Sequence, residues 1–119
     1  MKLGTSSAWP ACMVRLTVAF QAASARSTQE FLDSLRFLSM GTRLEPGCLV
    51  CTVWSDFDSL HYLEEWATEA DLRRHVCSDR FTSLLLVVEA AKHPRVQFDF
   101  VTTTRGLDYV AEVRGEPVN

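Results

Sequence analysis

The 119-residue chain has no apolar run near the roughly 18 residues needed to cross a bilayer as a helix. Its opening stretch, Met1-Lys2-Leu3-Gly4-Thr5-Ser6-Ser7, lacks the apolar centre of a secretory signal, so no membrane association and a cytoplasmic location are expected. Lysine is scarce: Lys2 and Lys92 stand alone, and the remaining basic residues are scattered arginines. With a net charge of -3 and a pI near 5.5 there is no basic stripe to track a phosphate backbone, which argues against nucleic-acid binding. No internal repeat or low-complexity segment divides the chain, and its length suits one domain with one core. A second CxxC is missing, so the four cysteines (Cys12, Cys48, Cys51, Cys77) do not read as a metal framework, and reduced thiols are expected.

What is present is an ordinary globular composition, 47% apolar and 23% charged, with clear local periodicity. Residues 1–12 read as an extension, with Trp9 either free or docked on the domain, and Met13 is a candidate natural start. Met13 to Phe20 alternates polar and apolar side chains, the signature of a first strand. Ser27-Thr28-Gln29-Glu30 is a capping box, and Phe31, Leu35, Leu38 and Thr42 then recur at helical spacing. Pro46-Gly47 ends that helix. Cys48 to Trp54 and Leu60 to Trp66 read as two strands joined by a turn over Ser55-Asp56-Phe57-Asp58-Ser59.

Thr68-Glu69-Ala70-Asp71 starts a second helix that breaks near Ser78-Asp79 and resumes through Leu84, Leu85, Val88 and Ala91. His93-Pro94 stops it, and Val96, Phe98 and Phe100 alternate along a fourth strand. Leu107 to Val113 is either a tail strand or a segment draped over the domain. The order βαββαβ predicts an α+β, ferredoxin-like fold: a four-stranded antiparallel sheet with two helices on one face. The domain spans 13–106, with 107–119 as a C-terminal tail.

Strands two and three are apolar on both parities, with Leu49, Val53 and Leu63 on one and Val50, Trp54, Leu60, Tyr62 and Trp66 on the other, allowing for a bulge. A sheet apolar on both faces needs a layer on each side, and a second copy would supply the one the helices do not.

Three pieces, Thr42-Arg43-Leu44-Glu45-Pro46-Gly47-Cys48, Glu64-Glu65-Trp66 and His75-x-x-Ser78-x-x-Phe81, fall in order on this pattern. In them, from Met13 to about Thr104, the chain resembles the antibiotic biosynthesis monooxygenase (ABM) family. The resemblance implies a homodimeric α+β barrel with a pocket between sheet and helices. It also implies oxidation of a phenolic, quinol or anthrone-like aromatic by O2, with no cofactor and no metal. Many family members carry Tyr where Cys51 stands. The haem-degrading branch of the fold places its ligand histidine where this chain has Thr82-Ser83-Leu84-Leu85-Leu86, which disfavours haem degradation.

Oxidation of a phenol by O2 requires deprotonation, donors for the resulting anion, and a dry pocket. The expected base is His75, the donors are Trp66 and Tyr62, and the walls are Phe31, Leu35, Phe81 and Leu85. Each has a plainer reading: Trp66 as a core aromatic, His75 as a satisfied inward histidine that orders the helix break. Alternation puts His61 on the face opposite Tyr62, at the expected dimer interface. Arg15 and Arg105 could hold an anionic substrate or form surface ion pairs. In a regular strand Cys48 and Cys51 face opposite sides, so neither redox nor metal use is expected. The competing functions are a non-catalytic small-molecule-binding dimer and an isomerase or decarboxylase on the same scaffold.

Overall fold

The structure is a computed structural model that describes residues 13–57, 59–100 and 103–115. The expectations for the N-terminal extension, and Asp58 within the hairpin turn, lie outside those residues. Elements follow in the order β1 (Val14–Gln21), α1 (Ala25–Thr42), β2 (Cys48–Asp56), β3 (Ser59–Trp66), α2 (Glu69–Val76) and α3 (Asp79–Ala90). They close with β4 (Lys92–Asp99), β5 (Thr104–Arg105) and α4 (Asp108–Arg114). The sheet is antiparallel in the order β2-β3-β1-β4-β5, the ferredoxin-like arrangement with one short strand added at the β4 edge.

Strand alternation builds the core. Val14, Leu16, Val18 and Phe20 of β1 sit opposite Trp66, Glu64, Tyr62 and Leu60 of β3, and all eight are buried on the helix-bearing face. Helix α1 covers this face through Leu32, Leu35, Ser39 and Thr42. It starts earlier than the capping box suggested, because Ser24 is extended and its hydroxyl accepts the Ser27 N–H at 3.1 Å. The second helix breaks where expected. Thr68 caps α2 by accepting the Asp71 N–H, and Ser78 caps α3 by accepting the Phe81 N–H.

Two expectations need correction. The sheet register shifts between Cys48 and Val50, so Leu49 is an extra residue in β2. The bulge turns Val50 and Trp54 to the open face with Leu63, and Val53 to the helix side with Leu60, Tyr62 and Trp66. It also places Cys48 opposite Trp66 and Cys51 opposite Glu64, so both thiols lie on one face. The second correction concerns 107–113, which is not a tail strand but lies over the domain, as the other alternative had it. It forms α4, whose Tyr109 and Val110 are buried, with Tyr109 packed on Phe98 and Phe100. The segment therefore completes the core rather than trailing from it.

The turn after α1 positions the site. Gly47 has φ of +87°, and any Cβ there would overlap the Asp71 carboxylate of α2. Arg74 donates to the Pro46 carbonyl at 2.8 Å, which ties the turn to α2 from the other side. The residue before Pro46, Glu45, is thereby held against the last turn of α2.

Candidate active site

Four elements converge behind that turn. Alternation along β3 brings Tyr62, Glu64 and Trp66 to the helix side, and α2 presents His75 on its buried stripe with Leu72 and Val76. The α1–β2 turn supplies Glu45, and α3 supplies Arg80. Glu64 is the centre. Its Oε1 accepts the Trp66 indole N–H at 2.8 Å, and its Oε2 accepts from the Tyr62 hydroxyl and from His75 Nε2, the latter at 2.9 Å. His75 Nδ1 lies 3.0 and 3.1 Å from the two oxygens of Glu45. Arg80 donates to Glu45 Oε2, and the Cys51 thiol donates to the Tyr62 oxygen at 3.4 Å.

Both His75 ring nitrogens therefore face carboxylates. Burial by itself would push the His75 pKa down, but hydrogen bonding and charge from Glu64 and then Glu45 outweigh it, and the pKa is raised. Charge balance gives the same answer. Two carboxylates, the Arg80 guanidinium and a neutral ring would leave an uncompensated negative charge around a Glu64 that is fully buried. The raised pKa and this charge count both favour the imidazolium form of His75 over the free base.

A folded-state pKa above the usual histidine value has a definite sign. The stability it contributes is fully present below about pH 6.5, the unfolded value, and is lost as pH rises through the folded pKa. Urea denaturation followed across that window should show stability declining as pH increases, and His75→Gln should flatten the decline. A flat wild-type profile would contradict a charged His75.

Tyr62 is held well above the usual phenol pKa by burial and by Glu64, so it stays protonated and donates. Burial, with smaller help from Glu64, pushes the Cys51 thiol up to about 12 and the Cys48 thiol to about 11. Both are thiols rather than thiolates at neutral pH, a poor state for nucleophilic attack or metal binding. Among the described residues no group of three His, Cys, Asp or Glu could hold a metal ion.

The structure brings together three of the expected residues, His75, Trp66 and Tyr62, with the Trp66 and His75 rings 4.8 Å apart. Phe81 joins them edge-on to His75 at 5.4 Å. Leu35 is buried and Leu85 half-buried in the same core. Phe31 packs on that core too, edge-on to Phe20 at 5.1 Å, and lines an open cleft of about 460 Å³ between α1 and α3 with Leu86, Val87 and Lys92. His61 is on the open sheet face, stacked on Trp54 at 5.1 Å with Nε2 3.3 Å from Asp56. Arg15 pairs with Glu65 at 2.9 Å, and Arg105 with Asp108 and Glu112 at 2.7 and 3.0 Å. Sequence reasoning missed Glu64, Glu45 and Arg80 as site residues. The available signal was Glu64 itself, a carboxylate in phase with Tyr62 and Trp66 on a core-facing stripe.

A ferredoxin-like sheet with helices on one face and a carboxylate–imidazolium cluster between them defines an α+β domain with a polar heart. The family model of the antibiotic biosynthesis monooxygenases matches residues 13–84, more than half of the chain, and the chain belongs to that family. No curated protein matches it.

Solved structures share the fold. A conserved protein from Methanosarcina mazei Go1 is 24% identical with a TM-score of 0.65, over 76% of this chain and 93% of that one. An antibiotic biosynthesis monooxygenase is 23% identical at TM-score 0.60, over 76% and 99%. A variant of SnoaB, a cofactor-independent oxygenase from Streptomyces nogalater, is 14% identical at TM-score 0.65, over 78% and 96%.

Proposed function

We propose that this chain is a cofactor-independent monooxygenase that oxidises a phenolic, quinol or anthrone-like aromatic with O2. The observation that carries the reading is the convergence of Trp66, Tyr62 and His75 on one buried carboxylate, Glu64, inside an ABM-family fold. Glu64 takes the proton of the substrate hydroxyl, leaving an electron-rich anion. That anion passes one electron to O2, and the superoxide forms beside the His75 cation, which stabilises it without reorganising. The two radicals join in a C–O bond, and Glu64 returns its proton to the peroxide. Loss of the ring C–H proton then breaks the O–O bond, so one oxygen becomes the new carbonyl and the other leaves as water.

Phe31, Leu35, Phe81 and Leu85 are the walls in this reading. The ring enters between α1 and α3, where Phe31 already borders the open cleft. A second copy is proposed to cover the open sheet face, where Val50, Trp54 and Leu63 stand opposite the helices. One observation favours a second reading, a non-catalytic small-molecule-binding dimer: Tyr62, Glu64, Trp66 and His75 are all buried and mutually bonded, as in a structural clasp.

Oxygen uptake with an anthrone and a hydroquinone separates the two. The oxygenase reading expects one O2 consumed per carbonyl formed, by a protein that light scattering places at twice the chain mass. Binding of these compounds without uptake would favour the second reading, and a monomer would remove the two-fold cover.

A further inference from the structure

Resting on the oxygenase reading, we propose that Glu45 is a positioning residue that fixes both the orientation and the positive charge of the His75 ring. The two oxygens of Glu45 straddle Nδ1 at 3.0 and 3.1 Å, while Arg80 anchors Oε2 from the outside. Glu45 is held in place by its own backbone: its N–H donates to the Thr42 carbonyl at 3.0 Å, and its carbonyl accepts the Cys48 N–H at 3.1 Å. Pro46 and Gly47 then lock the turn against Asp71 and Arg74.

The groups around His75 leave Glu45 this task. From β3 it meets Glu64 and the Trp66 ring, and from α3 the Phe81 ring, with Arg80 acting through Glu45. On its own helix Arg73 is paired with Glu69, and Arg74 with Asp71. Glu64 also accepts from Trp66 and Tyr62 and reaches only Nε2 of His75, which leaves Nδ1 to Glu45. The second carboxylate sits on the other ring nitrogen, and the Arg80 guanidinium holds it in place from the outside. Without it the ring loses a counter-charge within hydrogen-bond distance, and its neutral form becomes accessible near neutral pH. Superoxide would then form without its cation.

Two readouts test this in the full-length protein: the nitrogen-15 shifts of His75 against pH, and the pH profile of kcat with an anthrone. Glu45→Gln should lower the His75 midpoint by about 1–2 units and move the alkaline fall in kcat by the same amount, with KM unchanged. Glu45→Asp, which keeps the charge, should move both by less. Arg80→Gln, at a half-buried site, removes a cation and leaves both carboxylates, so it should shift them in the opposite direction and provides the test if Glu45→Gln does not fold. A purely structural Glu45 would lower the melting temperature and leave the His75 midpoint where it is in the wild type, which would overturn the proposal. Absence of oxygen uptake by the wild type would sink the oxygenase reading, while the His75 titration would still decide whether Glu45 holds the charge.

Discussion

Glu64→Gln is expected to lower turnover of an anthrone or quinol by about 10²–10⁴-fold, the usual contribution of a positioned proton acceptor. The substitution is close to isosteric, so the cavity around it barely changes. An amide oxygen can still accept from Trp66 or Tyr62, but it cannot take the substrate proton and it offers no charge to His75. The loss should fall on kcat, because the apolar walls that hold the ring are untouched. The check is steady-state oxygen uptake on variant protein first shown by circular dichroism to be folded. Turnover within a few-fold of wild type would remove Glu64 as the acceptor.

Trp66→Ala is expected to cost about 3–5 kcal/mol of folding stability, measured by urea denaturation. Trp66 is fully buried among β1, β3 and His75, and its ring volume has no neighbour free to fill it. The indole N–H is also lost from Glu64, leaving a buried carboxylate with one donor fewer. Trp66→Phe separates these effects, since it keeps most of the packing and removes the donor. It should cost clearly less than Ala in stability while lowering turnover. A cost below about 1 kcal/mol for Trp66→Ala would mean that the site is looser than its burial implies.

The fold was legible because independent local signals agreed. Strand alternation in β1 and β3, the breaker at Pro46-Gly47, the cap at Thr68 and the break near Ser78-Asp79 all point to one order. What escaped was set by contacts between segments. A bulge was allowed for, but nothing in Cys48-Leu49-Val50-Cys51 marks its position, which is set by pairing with β3 and decides the faces of Val50 and Trp54. Helix α4 is short, and Tyr109, Val110 and Val113 show too few turns for periodicity to separate a helix from a strand.

The site was half legible. Trp66, Tyr62 and His75 could be named from alternation and helical spacing, but the protonation state of His75 depends on Glu45, thirty residues away in sequence. A histidine read alone looks like a base; two carboxylates on the same ring raise its pKa and favour the cation.

That charge is the account's central claim, and the nitrogen-15 spectrum of His75 in the wild-type protein at pH 7 tests it most directly. Both ring nitrogens should carry protons, with imidazolium shifts that persist above pH 6.5 and give way only at higher pH. A neutral ring at pH 7, with one protonated and one bare nitrogen, would contradict it.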